Sequence, residues 1–96
     1  MIENLNSNNR KKGQDNELEI VIKTPNGDWT NTFLKTTKVA EVIAAVIQHF
    51  NYASNGKYEL RLESDPDTLL QPERPLVSYG IIDGTVLVFI DFGAAV

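Results

Sequence analysis

The residues able to do chemistry are few, and they are scattered. His49 is the only histidine, and acid–base or metal chemistry built on it needs partner groups at compatible spacing. None is near: residues 46–52 read Val, Ile, Gln, His, Phe, Asn, Tyr. Glu63, Asp65 and Asp67 alternate and present carboxylates in one stretch, but the glycine and the later glutamate of an EF-hand loop are missing. They read as a solvated acidic loop. Asn26-Gly27 belongs to a turn, and no glycine-rich run opens a helix, so no phosphate cradle is expected. With no cysteine there is neither a disulfide framework, a thiolate metal site nor a sulfur nucleophile. No catalytic residues, metal site or cofactor are therefore expected, and the chain is not expected to be an enzyme. One other place invites chemistry. Residues 87–92 contain no Gly, Ala or Ser, and then Gly93, Ala94 and Ala95 come together. Such a change marks a thin, flexible C-terminal segment.

Ninety-six residues with 42% apolar content suffice for one modest core. Residues 1–16 carry Arg10, Lys11 and Lys12 against Glu3 and Asp15, net +1, and the remaining residues hold 6 basic against 11 acidic side chains, net −5. An acidic globule repels phosphate backbones, which argues against nucleic acid as a partner. No apolar run approaches the roughly 18 residues of a membrane span, and residues 1–14 lack the apolar segment of a signal peptide. A cytoplasmic monomer that does not engage membranes is the expectation.

Residues 1–16 hold four Asn before position 10 and three apolar side chains without period, too few to offset the entropy of ordering. They are expected to be a disordered tail, with the domain at 17–92 and a flexible tail at 93–96. In residues 18–23, Leu18, Ile20 and Ile22 alternate with Glu19, Val21 and Lys23, the pattern of a half-buried strand. Pro25-Asn26-Gly27-Asp28 supplies a turn, and residues 29–34 complete a hairpin, with apolar size favouring Trp29 and Phe33 as its inward side chains. Val39, Val42, Ile43, Val46, Ile47 and Phe50 form the stripe of an amphipathic helix, with Thr37 as expected N-cap and residues 51–56 as its C-terminal break. Tyr58, Leu60 and Leu62 alternate in a third strand expected to end at the turn 64–67, and Leu69-Leu70 marks a short fourth. Residues 71–75 hold two prolines and are excluded from a central strand, while 86–90, after Asp83-Gly84, are strongly β-prone.

Hairpin, helix, strand, short strand, strand is the order of the β-grasp fold, and several local words resemble ubiquitin. Ile20-Val21-Ile22-Lys23-Thr24 is similar to ubiquitin's opening strand; Leu76-Val77-Ser78-Tyr79-Gly80-Ile81 and Asp83-Gly84-Thr85-Val86 resemble the segment that leads into its last strand. The resemblance covers roughly residues 18–92. It implies an α+β, ubiquitin-like β-grasp fold, a mixed sheet of four to five strands crossed by one main helix. It also implies that Tyr79 packs under its loop with its hydroxyl bonded to backbone, and that Gly84 occupies a turn position that disfavours a Cβ.

If Val86, Val88 and Ile90 face the helix, Leu87 and Phe89 point outward. Ubiquitin-like proteins bind partners through that sheet face, so Leu87 and Phe89 are the expected partner-binding anchors, with Arg61 beside them where ubiquitin has an apolar residue. At the tail there is no terminal diglycine, and Asp91 and Phe92 stand where ubiquitin has arginine. A single glycine with a short extension resembles the bacterial ubiquitin-like modifiers whose extension a metalloprotease removes. The reading is a modifier activated and conjugated through Gly93 by its own activating and conjugating enzymes. The alternative is a non-conjugated adaptor resembling the ubiquitin-like proteins of type VII secretion, in which Gly93 only ends a strand. Sulfur carriage as a thiocarboxylate is the weakest reading, because such carriers resemble one another in ending with diglycine.

Overall fold

The computed structural model describes residues 16–94, and residues 1–15, 95 and 96, with the tails expected there, lie outside the described part. The elements are β1 (Glu17–Thr24), β2 (Gly27–Leu34), α1 (Val39–Phe50), β3 (Gly56–Leu62), β4 (Asp65–Leu69), a 3₁₀ turn (Leu76–Tyr79) and β5 (Val86–Ala94). They build one five-stranded sheet in the order β2-β1-β5-β3-β4. Among the described residues no helix is long and apolar enough to cross a membrane.

β1 and β2 form the hairpin that the turn residues require, Thr24 opposite Gly27, with Leu18 opposite Phe33 and Ile22 opposite Trp29. Leu18, Ile20 and Ile22 are buried, and Trp29 and Phe33 pack on the core from the same face, as their size predicts. β5 runs parallel to β1 and antiparallel to β3, so it lies at the sheet's centre. Val39, Val42 and Val46 of α1 pack against this surface. Burial of twelve apolar side chains, from β1, α1, β3, the 3₁₀ turn, β5 and the loop positions Leu70 and Ile81, supplies most of the stabilisation, at roughly 25 cal/mol per Å² of apolar area removed from water.

The helix starts one residue later than Thr37 would place it. Lys38 is the N-cap and has no side-chain acceptor for the first turn. Backbone carbonyls from a distant loop take that role: the Val39 N–H donates to Arg74 O and the Ala40 N–H to Pro72 O, each at 2.9 Å, while Glu41 Oε1 accepts from the Lys38 N–H at 2.9 Å. At the other end Asn51 turns into the left-handed region (φ 61°), a conformation its short polar side chain tolerates.

The loop that caps α1 is itself fastened by Tyr79. Its hydroxyl oxygen accepts from the Gln71 N–H at 2.8 Å, and the Arg74 guanidinium sits 4.7 Å from its ring centroid. Tyr79→Phe should cost about 0.5 to 1.5 kcal/mol, the usual net worth of one hydrogen bond. It should also speed amide exchange at Val39 and Ala40, whose acceptors ride on the same loop. An unchanged exchange rate at those two amides would show that the loop is held some other way.

The turn expected at 64–67 is shorter than its composition suggests. Asp65–Leu69 is a strand, β4, pairing antiparallel with β3, Arg61 opposite Leu69 and Leu62 opposite Asp65 across a bulge. Pro66 is tolerated there because β4 is an edge strand. Leu70, expected in the fourth strand, follows it as a core residue. Gly84 takes φ +86°, consistent with its turn role, and donates its N–H to Glu19 O at 2.8 Å.

Candidate functional site

The face of the sheet turned away from α1 is set by the register of β5. Ile22 pairs with Leu87, Leu60 with Phe89 and Leu62 with Leu87, so Leu87 and Phe89 must point to the same side as the core residues of β1 and β3. Leu87 is 0% and Phe89 2% exposed. This reverses the expected parity: neither residue is available as a surface anchor. Phe89 instead lies between two rings, stacked with Tyr52 at 5.2 Å and with Tyr58 at 5.1 Å. The local sequence Val-Leu-Val-Phe-Ile is apolar on both faces, so alternation alone could not orient it. Size was the missed signal, because Leu and Phe outbulk the valines beside them, the criterion that places Trp29 and Phe33 correctly.

The outward residues are Val86, Val88 and Ile90, all half-buried, with Phe92, 56% exposed, next in the alternation. Val21 of β1, opposite Val86, extends the stripe sideways. Arg61 is on this face as expected, but opposite Val88 rather than beside Leu87 and Phe89. Its Nη2 and Nε donate to Glu59 Oε1 at 2.8 and 3.2 Å, and its Nη1 to Pro66 O at 3.0 Å. Lys23 meets Glu63 at 2.6 Å, and the Glu63 hydrogen bond, reinforced by its charge, holds the ammonium above its ordinary pKa. With its pKa raised, the Lys23 ammonium keeps its proton at neutral pH and gives it up only at alkaline pH. Lys23 stands beside Val88 on β1 and Glu63 beside Val86 just past β3, so this pair reaches across β5 at the Val86 end of the stripe, while Ile90 and Phe92 lie toward its other end.

Gly93 lies inside β5, at the end of the strand beyond the last core residue. The strand continues to Ala94, opposite Gly56, so the boundary expected after residue 92 falls later. Gly93 takes φ +91°, a region that L side chains rarely enter, and its N–H donates to Asp91 Oδ1 at 2.7 Å. Among the described residues other than its chain neighbours, no atom lies within 4 Å of where a Cβ at Gly93 would stand. Nearby, desolvation raises the Tyr58 pKa, with the Asp91 charge adding to it.

His49 sits among aromatic side chains. Its ring stacks on Trp29 at 4.2 Å with 9° between planes, and Trp29, Ala45, Gln48 and His49 line an open cleft of about 270 Å³ between α1 and β2. Of the acidic trio, Glu63 pairs with Lys23 and Asp65 accepts from the Thr68 hydroxyl.

No protein-family model and no curated protein sequence matches the chain. Solved structures do match, at low identity. A de novo design based on ubiquitin superposes with a TM-score of 0.70 at 18% identity, covering 85% of this chain and 96% of the design. The ubiquitin-like domain of an Arabidopsis thaliana protein gives 0.68 at 16% identity, over 88% of this chain and 86% of that one. The C-terminal ubiquitin-like domain of human 2'-5'-oligoadenylate synthetase-like protein gives 0.70 at 14%, over 90% and 95%. The fold is thus a ubiquitin-like β-grasp, with five strands and one main helix.

Proposed function

We propose that this chain is a bacterial-type ubiquitin-like modifier, processed after Gly93 and attached to other proteins through the carboxylate so exposed. The observation that carries the reading is Gly93 itself: a positive-φ glycine with open space around it, at the end of β5 and past the last core side chain. In such chemistry the carboxylate attacks the α-phosphorus of ATP held by an activating enzyme and pyrophosphate leaves. A nucleophile such as a lysine amine then takes the acyl group and AMP departs. The chain supplies the acyl group and the docking surface; its partners supply the catalysis. Mass spectrometry of material from the native cell tests this. Species ending at Gly93, or Gly93 joined by an amide or ester to another protein, are expected. Only intact chain, in cells where the processing and activating enzymes are active, would end the modifier reading.

One observation favours a second reading, a non-conjugated adaptor. Ala94 pairs with Gly56, so Gly93 can also be understood as an irregularity within a strand that merely closes the sheet. That reading expects no adducts and near-normal activity after deletion of residues 94–96.

Under either reading the partner docks on the apolar stripe of Val88 and Ile90. Ile90→Ala should weaken binding of the partner by on the order of 1 to 2 kcal/mol, because truncation at the centre of a patch removes contacts that water cannot replace. Its effect on stability should be smaller, since Ile90 is half-buried in the free protein. Calorimetric titration with the activating enzyme or docking partner measures the first and urea unfolding the second. Unchanged affinity would move the docking site off this face.

A further inference from the structure

β2 is an edge strand, and its middle reads alike from either end: Trp29-Thr30-Asn31-Thr32-Phe33. The free side of an edge strand presents backbone donors and acceptors that another extended segment can pair, and proteins commonly guard it with proline, lysine, an inward charge or a bulge. Gly27–Leu34 contains none of these. Its only charge is Asp28 at the turn end, and its register with β1 is unbroken over all eight residues.

We propose that β2 pairs antiparallel with β2 of a second copy, about a two-fold axis through Asn31 and perpendicular to the sheet. In that register Trp29 lies opposite Phe33 of the partner subunit, Thr30 opposite Thr32 of the partner subunit, and Asn31 opposite its own equivalent. Aromatic–aromatic and Thr–Thr are among the favourable cross-strand pairs, and the near-palindrome supplies each of them twice. Parity is preserved as well. Trp29, Asn31 and Phe33 are half-buried on the helix side, where a second copy completes their cover, while Thr30 and Thr32 are exposed on the other face. The cleft between α1 and β2 opens beside this edge, and its Trp29 is already fixed by the His49 stack and by an edge contact with Phe33 at 6.2 Å.

One strand pair covers less than the ~1,600 Å² of a standard stable interface, so the dimer is weak and concentration-dependent. The monomer expected from composition is its dilute form. This inference is independent of any processing at Gly93. Its consequence is a continuous ten-stranded sheet whose two apolar stripes lie on one side, which raises avidity for a partner with repeated docking segments.

Sedimentation equilibrium of the full chain, from low micromolar to near-millimolar, should show the mass rising from 10.7 kDa toward twice that value. Thr30→Lys/Thr32→Lys sets like charges opposite each other across the axis, and should weaken association at least about tenfold while circular dichroism remains that of the folded domain. Thr30→Glu/Thr32→Lys sets opposite charges there and should dimerise at least as tightly as the original chain. Both variants carry lysine at position 32, opposite Glu19, so they differ only at residue 30. Should the double-lysine variant fail to fold, salt decides: the Glu/Lys dimer should loosen as ionic strength rises and the original dimer should not. An original chain that stays monomeric throughout, a folded double-lysine variant that still dimerises, or equal salt responses would overturn the proposal.

Discussion

Phe89→Ala is expected to remove about 3 to 5 kcal/mol of unfolding free energy, the range for deleting a buried aromatic ring from a close-packed core. Three features put it in that range. The ring is 2% exposed, it stacks with both Tyr52 and Tyr58, and it stands opposite Leu60 on the strand next to the sheet's centre. Removing it leaves a cavity bounded by two rings, each tethered by its hydroxyl, Tyr52 to Asn26 Oδ1 and Tyr58 to Ala53 O, so the walls cannot easily collapse inward. For a domain of this size the loss is a large share of the total, of order 0.05 to 0.15 kcal/mol per residue. Urea unfolding of Phe89→Ala beside Ile90→Ala makes the comparison internal, since the two neighbours face opposite sides of one strand. A loss near or below about 1 kcal/mol for Phe89→Ala, combined with weakened partner binding, would return Phe89 to the surface and reverse the strand again.

If the chain is conjugated through Gly93 as proposed, Gly93→Val should reduce conjugates and processed species in the native cell to background while leaving the core intact. The backbone at φ +91° excludes a β-branched residue at a cost of about 1 to 3 kcal/mol, but the strain sits at the strand's end and is relieved by giving up the last pair with Gly56. Global stability should therefore change by less than that amount. The functional loss has a different origin, because a branched side chain next to the reacting carbonyl obstructs a narrow active site. Gly93→Ala separates the two effects. It carries the backbone cost with little bulk, and it should retain part of the conjugation that Gly93→Val loses. Anti-tag blots and intact masses of both variants measure the outcome. Conjugates persisting in Gly93→Val would remove Gly93 from the reaction.

Wherever polar and apolar residues alternate, the chain's own pattern was enough. Glu19 and Lys23 mark the outer face of β1 and so orient Leu18, Ile20 and Ile22 inward. The spacing of Val39, Val42 and Val46 does the same for α1, and Pro25-Asn26-Gly27 sets the hairpin. Tyr79 and Gly84 were legible from the words around them, since their roles are local to a loop and a turn. Long-range pairing decided the rest. β5 is apolar on both faces, and only its position between Ile22 and Leu60 determines that Leu87 and Phe89 go in while Val88 and Ile90 go out. The cap of α1 comes from carbonyls of Pro72 and Arg74, more than thirty residues downstream, so no reading of the residues before the helix could replace Thr37 with Lys38. Asp65-Pro66-Asp67 has the composition of a turn, but its neighbour β3 offers backbone partners that outweigh that preference. Gly93 likewise belongs to a strand because the chain that closes on it starts at Gly56. Local sequence fixes a residue's conformational preferences and side-chain period; which face a doubly apolar strand turns inward, and which distant group satisfies a backbone amide, follow only from the tertiary pairing.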